Sequence, residues 1–166
     1  MDLFDRLLGH DKWTTSHYME LAGRLKDEQL DQEFDIGLRT VRRTFDHVIV
    51  NVDFWTGLMV GKPVDYDEVR EDLSLNALAA RHETSYTAFE GVARKLTAEG
   101  RLDETFIDHY EVPQSFGGTI GHVILHNQGH RGEILHMFTR LGLPNVEDMP
   151  EGDPQEWEHM TGIIKR

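Results

Sequence analysis

The chain has 166 residues, 39% of them hydrophobic, which is enough for one domain over 1–166 with a core of its own. Its formal net charge of -13 opposes binding to nucleic acid, because phosphate contacts need clustered Lys and Arg that release counterions. Cysteine is absent, which removes disulfides, thiolate ligands and cysteine nucleophiles together and leaves any sulfur chemistry to a thiol from outside.

In chain order, the N-terminus MDLFDRLLGHDKW carries acids where a secretory leader carries bases, and no apolar run approaches the roughly 20 residues of a membrane span. A cytoplasmic protein with no membrane partner is expected. The spacing predicts a first helix over 2–25 with Leu7, Tyr18, Leu21 and Leu25 inward, interrupted by the polar stretch HDKWTTSH. Leu38, Val41, Phe45, Val48, Val52, Trp55 and Met59 alternate three and four apart and predict a second helix. The acidic, turn-rich GKPVDYDEVRED then reads as a solvated loop. A third helix is predicted from Ser74 to Glu99, with Leu75, Leu78, His82, Tyr86, Phe89, Ala93 and Leu96 on one face and Gly100 as its stop.

TFIDHYEVPQSFGG alternates apolar and polar residues, which gives a short hairpin or an extended strap. It leads directly into a fourth helix and is therefore expected near whatever that helix carries. The fourth helix is predicted from Thr119, after a Gly117-Gly118 break, with Ile120, Val123, His130, Ile134, Met137 and Leu141 inward until Gly142 and Pro144 end it. At the C-terminus Asp153 caps a short helix with Pro154 at its first position and Glu156 closing a capping box, while Trp157 and Met160 offer an apolar edge to the bundle or to a partner. The chain is thus all-α, with four long helices, one or two long connections and a short C-terminal helix.

Within the fourth helix, His126 and His130 stand four residues apart and stack on one face, so both imidazoles can point at one metal ion. On spacing alone the pair fits surface or hydrogen-bonded core histidines equally well, since the chain has ten. Both lie on or beside the apolar stripe, where a neutral polar ring needs a partner, and His47 occupies a comparable margin of the second helix. Convergence of those margins would gather three rings, as other bundles build metal sites from facing helices.

The pairing of His47 and Trp55, in H-x7-W spacing, with the downstream His126, His130, Arg131, Gly132 and Glu133 resembles the DinB-like family. The resemblance spans most of the chain and implies a four-helix bundle with a three-histidine metal site. It takes His47 from the second helix and His126 and His130 from the last. Glu133 departs from the Gln more usual there. Asn51 and Glu133, each one turn from a ligand, are candidates to orient ligands or bound water, and solvated helix positions are the plainer alternative for both. His122, one turn before His126, can replace a ligand, support one, or sit hydrogen-bonded near the core. His82 reads as a satisfied core histidine; His10, His17, His109, His136 and His159 read as surface or packing residues.

Three neutral imidazoles leave Zn, Ni or another borderline divalent ion with its full charge and an open position, the arrangement of a catalytic site rather than a closed structural one. Zinc proteases of H-x3-H spacing place Glu directly after the first His as general base; Asn127 stands there instead. The resemblance implies metal-dependent transferases and isomerases that use bacillithiol, mycothiol or glutathione on a small electrophile, and also implies a homodimer. No residue is assigned to catalysis itself. Trp55 and Arg131 are substrate-binding candidates, with Arg131 and the 105–118 strap placed to orient the thiol's carboxylate or sugar. A hydrolase of a small ester, amide or lactone and a non-catalytic binding or stress-response module remain the alternatives.

Overall fold

The computed structural model describes residues 1–65, 72–143 and 153–165, so half of the acidic loop expected over 61–72 and the Pro144 stop lie outside the described residues. Helix α1 (Leu3–Ala22) opens on a reciprocal cap: Asp5 N–H donates to the Asp2 carboxylate and Asp2 N–H to that of Asp5, which satisfies two otherwise orphaned donors. Leu8 rather than Leu7 faces inward, Leu7 being 37% exposed. The polar stretch that broke the apolar pattern is itself buried at His10, Asp11, Thr14 and Thr15. The inner face of α1 is therefore polar in its middle, and hydropathy could not reveal it.

A short α2 (Asp27–Leu30) follows, which four residues are too few to announce by periodicity. Arg42, at the start of α3 (Val41–Met59), donates to the carboxylates of Asp27 and Asp31 and ties that turn down. Helix α4 (Leu75–Ala98) is capped by Ser74, whose hydroxyl accepts from Ala77 N–H at 3.3 Å. Gly100 follows at φ +69°, the left-handed conformation that glycine adopts without a Cβ penalty. The strap is a hairpin: β1 (Thr105–Ile107) pairs antiparallel with β2 (Pro113–Ser115), Phe106 opposite Gln114.

Helix α5 (Phe116–Arg140) starts three residues before the expected Thr119 and takes both glycines into its first turn. Gly117 is there for close approach, since its N–H donates to Leu102 O at 2.8 Å and a β-carbon would sit 3.2 Å from that oxygen. Helix α6 (Pro154–Met160) begins where Gln155 N–H donates to the Asp153 carboxylate at 2.7 Å. Its Trp157 is buried on α1, against Gly9 and edge-on to His10.

The chain groups into two compact units, residues 1–45 with 127–166, and residues 46–126. The first holds α1, α2, α6 and the second half of α5, with Leu8, Tyr18, Leu30, Ile134, Met137 and Phe138 in its interior. The second holds most of α3, all of α4, the hairpin and the first half of α5, around Val48, Val52, Leu78, Tyr86, Phe89 and Val123.

Candidate metal centre

Helix α3 sets His47, Asn51 and Trp55 at successive four-residue steps along one face, and α5 does the same for His122, His126 and His130. Arg81 donates to Asp46 at 2.8 Å and pins α3 beside α4 next to the first of these histidines. His47 Nε2 and His126 Nε2 then lie 3.1 Å apart. With His130, one turn further along α5, the three rings offer nitrogens that all lie within 4.8 Å of one another.

Two observations show that these side chains suit a divalent ion. Zn–N bonds of about 2.0–2.1 Å put neighbouring ligand nitrogens roughly 3.3 Å apart in a tetrahedron, and the His47–His126 separation is close to that. His130 Nδ1 donates to Glu133 Oε2 at 2.8 Å, which fixes the tautomer and leaves the Nε2 lone pair for a ligand, the carboxylate–histidine arrangement of metal sites. Gly37, at φ +45°, brings backbone so near Glu133 that a β-carbon would overlap the carboxylate. Three neutral imidazoles suit a borderline divalent ion.

Beside His126, within residues 46–126, lies a cavity of about 480 Å³. One wall comes from α3, with Asn51, Phe54 and Trp55, and another from α5, with His122. The hairpin turn closes it with His109 and Tyr110. That turn is held by Asp108, whose carboxylate accepts from Tyr110 N–H at 2.9 Å, Val112 N–H at 3.0 Å and Gln114 Nε2 at 3.0 Å. The Val112 N–H bond above all keeps Asp108 below the usual carboxylate range. His109 meets Phe54 edge-on at 4.9 Å and Trp55 at 6.0 Å, while the exposed His122 meets Trp55 at 5.3 Å and His126 at 5.7 Å. Trp55 and Asn51 thus both line the cavity. His122 is on its wall and outside the three-ring group.

Arg131 is elsewhere. It is 1% exposed and forms a buried ion pair with Asp11, with further bonds from Nη1 to Thr15 Oγ1 at 3.0 Å and from Nη2 to Gln128 Oε1 at 2.8 Å. It is neither free to hold a substrate carboxylate nor in a surface salt bridge. Asn127 Nδ2 donates to the same Asp11 at 2.9 Å, so the position of a protease's general base serves internal packing. Nearby, burial first and the Arg131 charge second lower the His10 pKa to about 4. His82 is buried on α4 beside Tyr86.

His109, Tyr110 and Phe54 are cavity residues that sequence reading did not single out. The available signal was the strap's position immediately before the helix that carries His126, not the residue types.

The DinB superfamily matches the chain over residues 10–134. No match is found among curated proteins. Among solved structures, a DinB-like protein from Bacillus cereus ATCC 10987 is similar at 21% identity and a TM-score of 0.65, covering 81% of this chain and 88% of that one. At that identity the likeness shows the fold, an all-α bundle, and no more.

Proposed function

Because the chain belongs to the DinB superfamily, whose members often bind metal, we propose that it is a metal-dependent enzyme transferring a low-molecular-weight thiol to a small electrophile. The thiol is of the bacillithiol, mycothiol or glutathione kind. The observation that supports this reading most is the three-imidazole group beside a cavity of about 480 Å³, a volume suited to a small molecule. A Zn or Ni ion held by His47, His126 and His130 would supply positive charge that favours thiolate over thiol at neutral pH. Glu133 keeps His130 in the tautomer that has its lone pair on Nε2. The aromatic wall offers the electrophile an apolar surface. In the transfer, a sulfur–carbon bond forms as the bond to the leaving group breaks, and the thiol's proton departs with that group or to solvent. The sulfur comes from outside because the chain has no cysteine.

The test pairs spectroscopy with turnover. Co(II)-substituted protein titrated with each of the three thiols should develop a sulfur-to-metal charge-transfer band that grows as pH rises and the thiol ionises. The band should be missing in His47→Ala. Consumption of an activated aryl halide should require thiol. A spectrum unmoved by all three thiols, or hydrolysis of activated esters at full rate without thiol, would remove this reading in favour of a binding module or a hydrolase.

A further inference from the structure

The cavity beside His126 has a wall chemistry more specific than its size. Among the described residues that line it there is no Lys, Arg, Asp or Glu. Six of the seven carry rings: Phe54, Trp55, His109, Tyr110, His122 and His126. The cavity's side chains therefore reward a flat apolar body and offer a carboxylate no permanent cation, inside a chain whose net charge is -13. It has one conspicuous polar feature. Asn51 is only 4% exposed, lines the cavity, and its Nδ2 has no hydrogen-bond partner among the described residues. An amide donor buried without an acceptor carries an uncompensated desolvation cost, so an oxygen that reaches it gains selectively over a carbon in the same place.

We propose that this cavity is the acceptor pocket for a flat, uncharged aromatic carbonyl compound that carries the leaving group the thiol displaces, as an α-halo aryl ketone does, with acetophenone as its unreactive analogue. Its ring rests on Trp55 and Tyr110, and its oxygen accepts from Asn51 Nδ2. The assignment builds on the thiol-transfer reading by giving the electrophile a class, and it makes Asn51 a specificity-determining residue and the hairpin turn a selector of shape. Tyr110, 74% exposed at that turn, can move aside for entry without disturbing any helix.

Binding without thiol tests this by itself. Acetophenone is titrated into the intact protein by calorimetry at pH 8, where free imidazoles are neutral, against ethylbenzene, which lacks the oxygen, cyclohexyl methyl ketone, which lacks the flat ring, and benzoate, which carries the charge. Acetophenone should bind about tenfold tighter than each. Amide NMR should show the Asn51 side-chain signals and the Trp55 indole signal moving together. Asn51→Ala should erase the advantage over ethylbenzene and keep that over cyclohexyl methyl ketone; Tyr110→Ala, at an exposed turn, should do the reverse. Equal binding of ketone and hydrocarbon, tighter binding of benzoate, no acetophenone binding, or an unchanged preference in Asn51→Ala would overturn the proposal. Run on chelator-treated protein, these measurements involve neither bound metal nor thiol turnover, so loss of the transferase reading and loss of this one are told apart.

Discussion

Glu133 is the residue whose role is most local and most testable. Its carboxylate accepts from His130 Nδ1 at 2.8 Å, and removal of such an oriented partner typically weakens metal binding about 10- to 100-fold. Glu133→Ala should show that loss in competition with a chelator, while Glu133→Gln, which keeps an acceptor oxygen, should recover part of it. Equal affinity in all three proteins would separate Glu133 from the metal. The His10 ring makes a second, independent prediction. Its folded pKa of about 4 lies below the ordinary 6.5, so between those values the unfolded chain binds the proton more tightly and stability falls as pH falls. The loss is complete near pH 4 and amounts to at most about 3 kcal/mol. His10→Phe should flatten urea-denaturation stability between pH 6.5 and 4 relative to the parent protein; an unaltered slope would show that other groups carry it. His126, His130 and Glu133 were legible because three- and four-residue helix spacing is written directly in the sequence. The Asp11–Arg131 pair was not, since its partners are 120 residues apart and nothing local marks either as buried.

Elements were read with similar unevenness. Helices α3 and α4 announced themselves through apolar stripes, and Asp153, Ser74 and Gly100 marked ends that the structure uses. The start of α5 was missed because Gly117 and Gly118 look like a break in one dimension, whereas Gly117 is required by the approach of Leu102 O in three. The 105–115 hairpin was legible as alternation, yet its meeting with Phe54 and Trp55 was not, because alternation says nothing about what a turn faces. Asp108 governs that meeting. Asp108→Ala removes the acceptor for Tyr110 N–H, Val112 N–H and Gln114, so the His109 and Tyr110 amide signals should lose dispersion while the helical circular dichroism stays intact. Because the Asp108 pKa is depressed in the fold, the turn's ionic support is full above the ordinary carboxylate value and lost as pH falls through the lower folded one. The His109 and Tyr110 signals should therefore be unmoved by this group between pH 7 and 5. Dispersion that survives Asp108→Ala would assign the turn to strand pairing alone.

At the scale of the molecule, charge and cysteine count restricted the chemistry before any element was placed. Among the described residues no helix is long and apolar enough to cross a membrane. The buried polar cluster around Arg131 carries a definite stability cost. Arg131→Ala leaves the Asp11 carboxylate buried without its cation and should destabilise the protein by about 3–5 kcal/mol in urea, whereas replacing both partners by apolar residues of similar volume should recover most of it. A loss under about 1 kcal/mol for the single variant would show that water reaches Asp11. The central claim, that His47, His126 and His130 hold a divalent ion, is tested most directly by elemental analysis of purified protein beside its His126→Ala/His130→Ala variant, with helical content followed by circular dichroism. The parent should carry about one divalent ion per chain, and the variant should lose it with its helices retained. A variant that keeps its full metal content, or a parent that takes up no divalent ion when supplied with one, would contradict the account.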